Sequence, residues 1–367
     1  MALCLDFMEY LFEYLVFLAE VITLVVALLV IISSSIAMSQ RGQDGHEPGK
    51  LKVVKLNDRV TGLRHALEAG TLPHELVKKQ HKAEAKAEEQ QAKALAKSAS
   101  QGPKQAKGGD AEQTSDADPS RQRTYVIKFN GDIRASSVDR LRLEVSAVLT
   151  QAGTEDEVVV VLESPGGVVP GYGLAASQLS RVRDNNVPLT VIVDKVAASG
   201  GYLMAAVANK IIAAPFALVG SIGVVAQVPN VHRLLKKNDV DVEVLTAGKY
   251  KRTLTTFGEN TEEGRQKFVE ELEDVHALFQ EFVTQNRPEL DIEAVATGEA
   301  WYGKRAVELG LVDDLATSDE YLMNACSSRD VYEVSWVEHQ KPIDRLLKGV
   351  GGVLEQATEL LSGLRRH

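Results

Sequence analysis

The sequence predicts an α/β fold around a mainly parallel sheet, on three observations. From Thr124 onward, strand-like runs alternate with segments whose apolar residues recur at helical spacing. Two of the runs, Val158–Leu162 and Leu189–Val193, are β-branched and largely apolar, as strands buried on both faces are. Two strand ends also pass through glycine-rich turns into helical segments, the pattern of α/β units. In order, Tyr125–Phe129 is a strand, and Ser137–Leu149 is a helix with Leu141, Val145, Val148 and Leu149 on one face. The first buried strand follows, then a helix over Leu174–Val182, the second buried strand, a helix over Gly201–Ala206 and a strand over Lys210–Ala214. Val242–Leu245 reads as a further strand.

Composition bounds the function. The chain has 367 residues, with 41 Lys+Arg against 51 Asp+Glu and a formal net charge of −10, which speaks against a basic face for nucleic acid. Hydrophobic content of 44% and charged content of 25% exclude a wholly disordered or many-span chain. Cys4 and Cys326 lie at opposite ends and build neither a disulfide framework nor a cysteine metal site.

The body, 124–340, carries appendages. Val21–Met38 is free of charge and long enough, with the apolar residues before it, to cross a hydrocarbon core of about 30 Å. Asp6, Glu9 and Glu13 replace the basic start of a cleaved signal peptide, so 1–40 is expected to be a retained single-span anchor in a lipid bilayer. Glu20 belongs towards the outer end of the span or against a partner helix. Arg41, Lys50, Lys52 and Lys55 follow the span, and this charge bias places the body on the cytoplasmic side. Residues 41–98 read as a charged, largely helical juxtamembrane segment, in which Glu75 supports Lys79 while Glu84 repels Glu88. Its lysines are a solvated face or bind anionic lipid. Residues 99–123, dominated by Gly, Ser, Gln, Asp, Ala and Pro, read as a flexible linker. Residues 341–367 read as an amphipathic helix interrupted by Gly349, Gly351 and Gly352, packing on the core or a second subunit, or lying on the membrane.

Two strand-to-helix junctions carry the chemistry. Glu163-Ser164-Pro165-Gly166-Gly167 lets the backbone turn sharply and present N–H groups to an oxyanion. Val196-Ala197-Ala198-Ser199-Gly200-Gly201-Tyr202 sets the Ser199 hydroxyl among small residues at the start of a helix. From the residues alone Ser199 is either a nucleophile or a helix cap. His232, His276, His339 and His367 offer no local cue to a base, whereas the basic segment Ala247-Gly248-Lys249-Tyr250-Lys251-Arg252 is either an exposed loop or the source of a lysine for a Ser/Lys dyad.

These junctions, with Val219-Gly220-Ser221-Ile222-Gly223-Val224, Tyr250-Lys251-Arg252 and the Gly298–Asp313 run containing Trp301-Tyr302-Gly303-Lys304-Arg305, resemble in motif order the signal peptide peptidase (SppA) family of bacterial membrane serine peptidases. The resemblance covers about Thr124–Ser318. It implies a crotonase/ClpP-like ββα spiral, preceded here by one transmembrane helix and the charged helical stalk. It also implies Ser199 as nucleophile, Lys251 as general base with Lys249 the rival, and Ser221 as the residue orienting the lysine. The oxyanion donors it implies are Gly166 or Gly167 together with Gly200. No metal or nucleotide cofactor is called for. Single-core relatives imply a homo-oligomer in which serine and lysine meet between protomers, acting on peptide or unfolded protein substrates at the bacterial inner membrane. The family acts on the periplasmic side, opposite to the charge bias. An acyl-CoA enzyme of crotonase type and a silent membrane scaffold are the alternatives.

Overall fold

The central strands split their side chains between two cores. The computed structural model describes residues 49–79, 81–83 and 122–338, with isolated positions within 16–23 and 86–93. The chain divides into two compact units, Leu51–Val337 and Met1–Lys50 with Glu338–His367, and the fold is that of the first. Its main sheet has seven strands in the spatial order β1 (Gly49–Lys55), β10 (Asp330–Glu338), β2 (Arg123–Asn130), β3 (Glu157–Glu163), β4 (Leu189–Val193), β6 (Lys210–Ala213) and β9 (Asp314–Leu315). From β10 across to β9 every pairing is parallel, and Val160 sits between Ile127 and Val191. A smaller sheet holds β5 (Val196–Ala198), β7 (Leu218–Gly220) and β8 (Ala300–Tyr302), with β5 and β7 parallel and β7 and β8 antiparallel.

On one face of the main sheet Ile127, Phe129, Val158, Val160, Leu162, Val191 and Val193 are fully buried, or nearly so. They join a core that includes Leu141 and Val145 of α2 (Val138–Leu149), Tyr172, Ala176 and Leu179 of α3 (Val169–Asp184), and Tyr202 and Met204 of α4 (Gly200–Ala206), the elements numbered after α1 (Leu56–Thr71). The alternate residues Val126, Val159, Ile192 and Ile212 take the other face with Leu56 of α1. The later helices are α5 (His232–Lys237), α6 (Glu262–Asn286), α7 (Ile292–Val295), α8 (Gly303–Glu308) and α9 (Ser318–Ser328), and α9 covers this second core with Tyr321, Leu322 and Ala325. The period of 2 gives each strand both cores. Each large apolar side chain so buried contributes about 1.5–3 kcal/mol.

Chain order places the site. β4 ends at Val193 in the main sheet, and two residues later β5 starts the smaller sheet and leads into α4. β6 and β7 repeat the move from the main sheet to the smaller one.

Three expectations need correction. Leu51–Lys55, read as the start of a helical segment outside the body, is part of strand β1. Its alternating Leu51, Val53 and the Val53-Val54 pair suit a strand, and β10 supplies the partner. Asn57 fastens the next helix: its side-chain amide donates to the carbonyls of Cys326 and Arg329 at 2.9 and 2.8 Å and accepts from Val331 N–H at 2.8 Å. Lys55 adds an ion pair to Asp330 at 3.4 Å. The sheet and its cores thus include residues upstream of Thr124. Secondly, α3 begins at Val169 rather than Leu174, with Pro170 in its first turn where a missing N–H is harmless. Finally, Val242–Leu245 is not a strand; these residues are exposed and no strand among the described residues pairs with them.

The anchor expected over 1–40, the linker over 99–123 and the helix over 341–367 lie outside the described residues, apart from helical positions 16, 17, 21 and 23 and from Gln122 and Arg123, the latter being the first residue of β2 rather than linker. Among the described residues no helix is long and apolar enough to cross a membrane.

Candidate active site

β5 delivers Ser199 to a strained turn. Its φ of 51° and ψ of −120° lie in a region that costs a side-chain-bearing residue about 1–3 kcal/mol, held only where surroundings over-determine it. Those surroundings are explicit: Ser199 N–H donates to the Gly220 carbonyl at 2.8 Å, and its own carbonyl accepts from Leu203 N–H at 2.9 Å. The side chain makes no capping hydrogen bond, so of the two sequence readings the cap is excluded. The hydroxyl is left half-buried at the N-terminus of α4.

The Pro-Gly-Gly turn folds directly against it. Ser164 bridges in parallel to Ala197, its N–H donating to the Val196 carbonyl at 2.8 Å and its carbonyl accepting from Ala198 N–H at 3.0 Å. Gly166 has φ of +88°, and a Cβ there would lie 2.7 Å from both the Ser199 Cβ and the Ala198 oxygen. Only glycine satisfies both conditions.

A relay of hydroxyls sets the turn. Tyr172 OH donates to the Asp132 carbonyl at 2.8 Å, so the Ser164 hydroxyl, 2.6 Å away, is the donor to Tyr172. Ser164 Oγ in turn accepts from Gly166 N–H at 3.1 Å. Burial raises the Tyr172 phenol above its ordinary value, against the opposing pull of the Ser164 hydrogen bond, and keeps it a donor. The same ring lies against Gly200. Gly166 N–H is therefore taken, whereas Gly167 is exposed and, among the described residues, neither its N–H nor that of Gly200 has an acceptor. Of the glycines named from sequence, Gly167 and Gly200 are thus the two whose N–H groups have no acceptor among the described residues. Tyr172 was missed by that reading; its spacing to Ala176 and Leu179 was the available signal, hidden because the helix was started too late.

Ser221 is brought close in register. Ala198 pairs with Gly220, so Ser199 and Ser221 leave the same end of neighbouring parallel strands, and Ser221 also has positive φ, 53°. Its N–H donates to the Glu299 carbonyl at 2.6 Å. Lys251 is not brought in. It lies on an exposed stretch, its backbone N–H donating to Gly248 O at 3.2 Å, and no hydrogen bond or ion pair among the described residues joins its amine to Ser199 or Ser221. Lys249 is engaged elsewhere, 2.9 Å from Glu263 Oε1 and 4.8 Å from the centre of the Tyr250 ring. The Tyr250 side chain and then Glu263 push its amine above its ordinary value, the wrong direction for a base. No histidine among the described residues is hydrogen-bonded to Ser199; His276 meets Gln280 at 3.1 Å.

Residues 9–179 match the family described as "Peptidase family S49 N-terminal" and residues 181–331 match "Peptidase family S49". The "Probable protease SohB" of Haemophilus influenzae is 48% identical over 323 residues, 88% of each chain. That of Buchnera aphidicola subsp. Acyrthosiphon pisum is 50% identical over 230 residues, 63% of this chain and 68% of its own. Among solved structures, a variant of the 1510-N membrane-bound stomatin-specific protease in complex with a substrate peptide aligns at a TM-score of 0.39 and 13% identity, covering 63% of this chain and 98% of its own. The class is that of a serine-type peptidase. Within it, the chain belongs to peptidase family S49.

Proposed function

We propose that this peptidase is anchored by a single span in the bacterial inner membrane and cleaves peptides or unfolded and exported protein segments with a Ser199/Lys251 dyad. The observation that carries the reading is the Ser199 turn, a strained, uncapped residue beside the Pro-Gly-Gly turn, with Gly167 and Gly200 N–H groups that have no acceptor among the described residues. Ser199 Oγ attacks the scissile carbonyl carbon while a neutral Lys251 amine takes its proton, and Ser221 orients that amine. The carbonyl oxygen gains the negative charge and receives both N–H groups; one such donor is worth about 10²–10³ in rate. The lysine then gives the proton to the departing amine, leaving an acyl-enzyme on Ser199 that a lysine-activated water hydrolyses. Exposed Ile133 and Val168, joined by a 2.8 Å backbone hydrogen bond beside Gly167, offer apolar surface to an extended chain.

A lysine serves as base only when neutral, which requires a dry pocket. Lys251 is exposed in the single chain, so a second copy supplies that pocket and the working dyad is shared between protomers of a homo-oligomer. Exposed Val225 and Leu245, both preceding the lysine in the same unburied stretch, suit burial by such a copy. The core we assign to the crotonase/ClpP-like ββα spiral, supported by β4-β5-α4 and the repeated crossing at β6 and β7. The apolar run Val21–Met38 supports the anchor.

Mixing two dead variants tests the reading. Ser199→Ala and Lys251→Ala protein, each inactive alone, are expected to regain peptide cleavage when co-assembled, because some interfaces pair an intact serine with an intact lysine. Co-assembly demonstrated by differently tagged chains with no recovered cleavage refutes a shared dyad.

A further inference from the structure

α1 carries His65 and Glu68 three positions apart, on one helix face. After Leu72 and Pro73 the chain continues into helical residues 74–79 and 81–83, and His81 returns to the same spot. The His65 and His81 ring centroids are 3.9 Å apart at 37°. His81 Nε2 lies 3.4 Å from Glu68 Oε2. One ligating atom from each of the three residues lies within 4.8 Å of the other two, and all three residues are half-buried.

Two imidazoles and a carboxylate are a donor set for a borderline divalent ion. Metal bonds of about 2.0–2.1 Å in a tetrahedron put donors about 3.3 Å apart. The His81–Glu68 pair is already near that separation, so closure asks for side-chain rotation more than backbone movement. Arg64 marks where positive charge is wanted. Its Nη2 donates to His65 Nε2 at 3.5 Å, and its Nε lies 3.8 Å from Glu68 Oε1. A cation thus already spans the imidazole and the carboxylate, on a side chain 53% exposed and able to swing out.

We propose that His65, Glu68 and His81 form a binding site for a divalent ion of the zinc type, with water in the fourth position. The ion joins the two arms of the helical hairpin. Among the described residues of the second arm only Val77 is buried, so apolar packing holds that arm weakly and a ligand bridge adds to it directly. None of the three residues belongs to the Ser199 turn or to the exposed stretch around Lys251, so peptide cleavage is an independent control.

The test is calorimetric titration of Zn²⁺ into the full-length protein in detergent after chelator treatment. One ion per chain is expected. Removing an outer-shell partner of a metal ligand costs about 10–100-fold in affinity, so His65→Ala and His81→Ala are each expected to cost more than about 100-fold. Arg64→Ala is expected to tighten binding by removing the competing cation, and His74→Ala, an exposed histidine in the same hairpin, to leave it unchanged. With Co²⁺ in place of Zn²⁺, wild type is expected to show the visible bands of a four-coordinate ion and His81→Ala to lose them, circular dichroism confirming equal helix content. Absence of a one-per-chain site, or a site that survives both histidine substitutions, overturns the proposal.

Discussion

The turn that holds Ser199 and the stretch that holds Lys251 are built in opposite ways. Around Ser199 nearly every backbone group is assigned: β5 pairs with both Ser164 and β7, Ser199 bonds to Gly220, and Tyr172 ties the glycine turn to Asp132. From Gly223 to Phe257 no residue is buried, α5 is the only helix, and Val225 and Leu245 are 92% and 88% exposed. A strained serine persists where packing over-determines it, and that packing is supplied within one chain. A lysine base needs desolvation, and one chain does not supply it. On the proposed reading the nucleophile is finished by folding and the base by assembly.

The sharpest way to break this contrast is at its two ends. Ser199→Ala is expected to lower cleavage of a fluorogenic peptide by about 10⁴-fold or more while leaving the melting temperature near wild type. Lys251→Ala is expected to match it, and Lys249→Ala, whose amine is committed to Glu263 and Tyr250, to stay within about tenfold, the range left to a group outside the acid–base step. The reverse ranking would move the base to Lys249. Next comes Gly167→Ala. A Cβ there runs into the Ile133 backbone carbonyl, so the donor shifts, and kcat is expected to fall by about 10²–10³.

Tyr172→Phe probes the relay. It leaves the Asp132 carbonyl without its phenolic donor and the Ser164 hydroxyl without its acceptor, for an expected stability loss of about 1–3 kcal/mol by urea denaturation. A smaller fall in kcat than that of Gly167→Ala accompanies it, with KM near wild type.

The mildest change tests the core itself. Glu144 is buried and accepts from Trp336 N–H at 2.8 Å, and burial raises its carboxyl above the ordinary range despite that bond and the Arg140 charge. A carboxyl whose value is higher folded than unfolded weakens the fold as pH climbs from its unfolded value of about 4.3 through its folded one. Glu144→Gln keeps an acceptor for Trp336 and is expected to raise the melting temperature by a few degrees near pH 7, as a gain of about 1 kcal/mol would, but not near pH 4. An equal effect at both pH values would show that the charge is not what the core opposes.

The α/β body was legible because its strands are short, apolar and closed by glycine turns, signals that sit within a few residues of one another. Val158–Leu162 and Leu189–Val193 carry both cores, as doubly buried runs do. Strand β1 was not legible. Its partner β10 is more than 270 residues away, and Lys50, Lys52 and Lys55 give an edge strand the charge of a solvated helix. Val242–Leu245 misled in the other direction, since apolar alternation reports that a segment wants cover without saying which chain provides it. At the site, the glycine-rich turn around Ser199 was legible through its small residues, while the choice between cap and nucleophile was not. That the Gly166 N–H is taken was not legible either, because it depends on where the Ser164 hydroxyl points, and that is fixed by Tyr172 and Asp132.

Asn57 carries a last consequence. Its three hydrogen bonds, with Lys55 and Leu56 beside it, hold the amino-terminal piece to the carboxyl-terminal strand without help from the intervening peptide bonds. A protease nick between residues 99 and 121 would therefore yield two bands on a denaturing gel and a single particle on a sizing column. A clipped enzyme of this kind stays fastened to whatever its first residues hold.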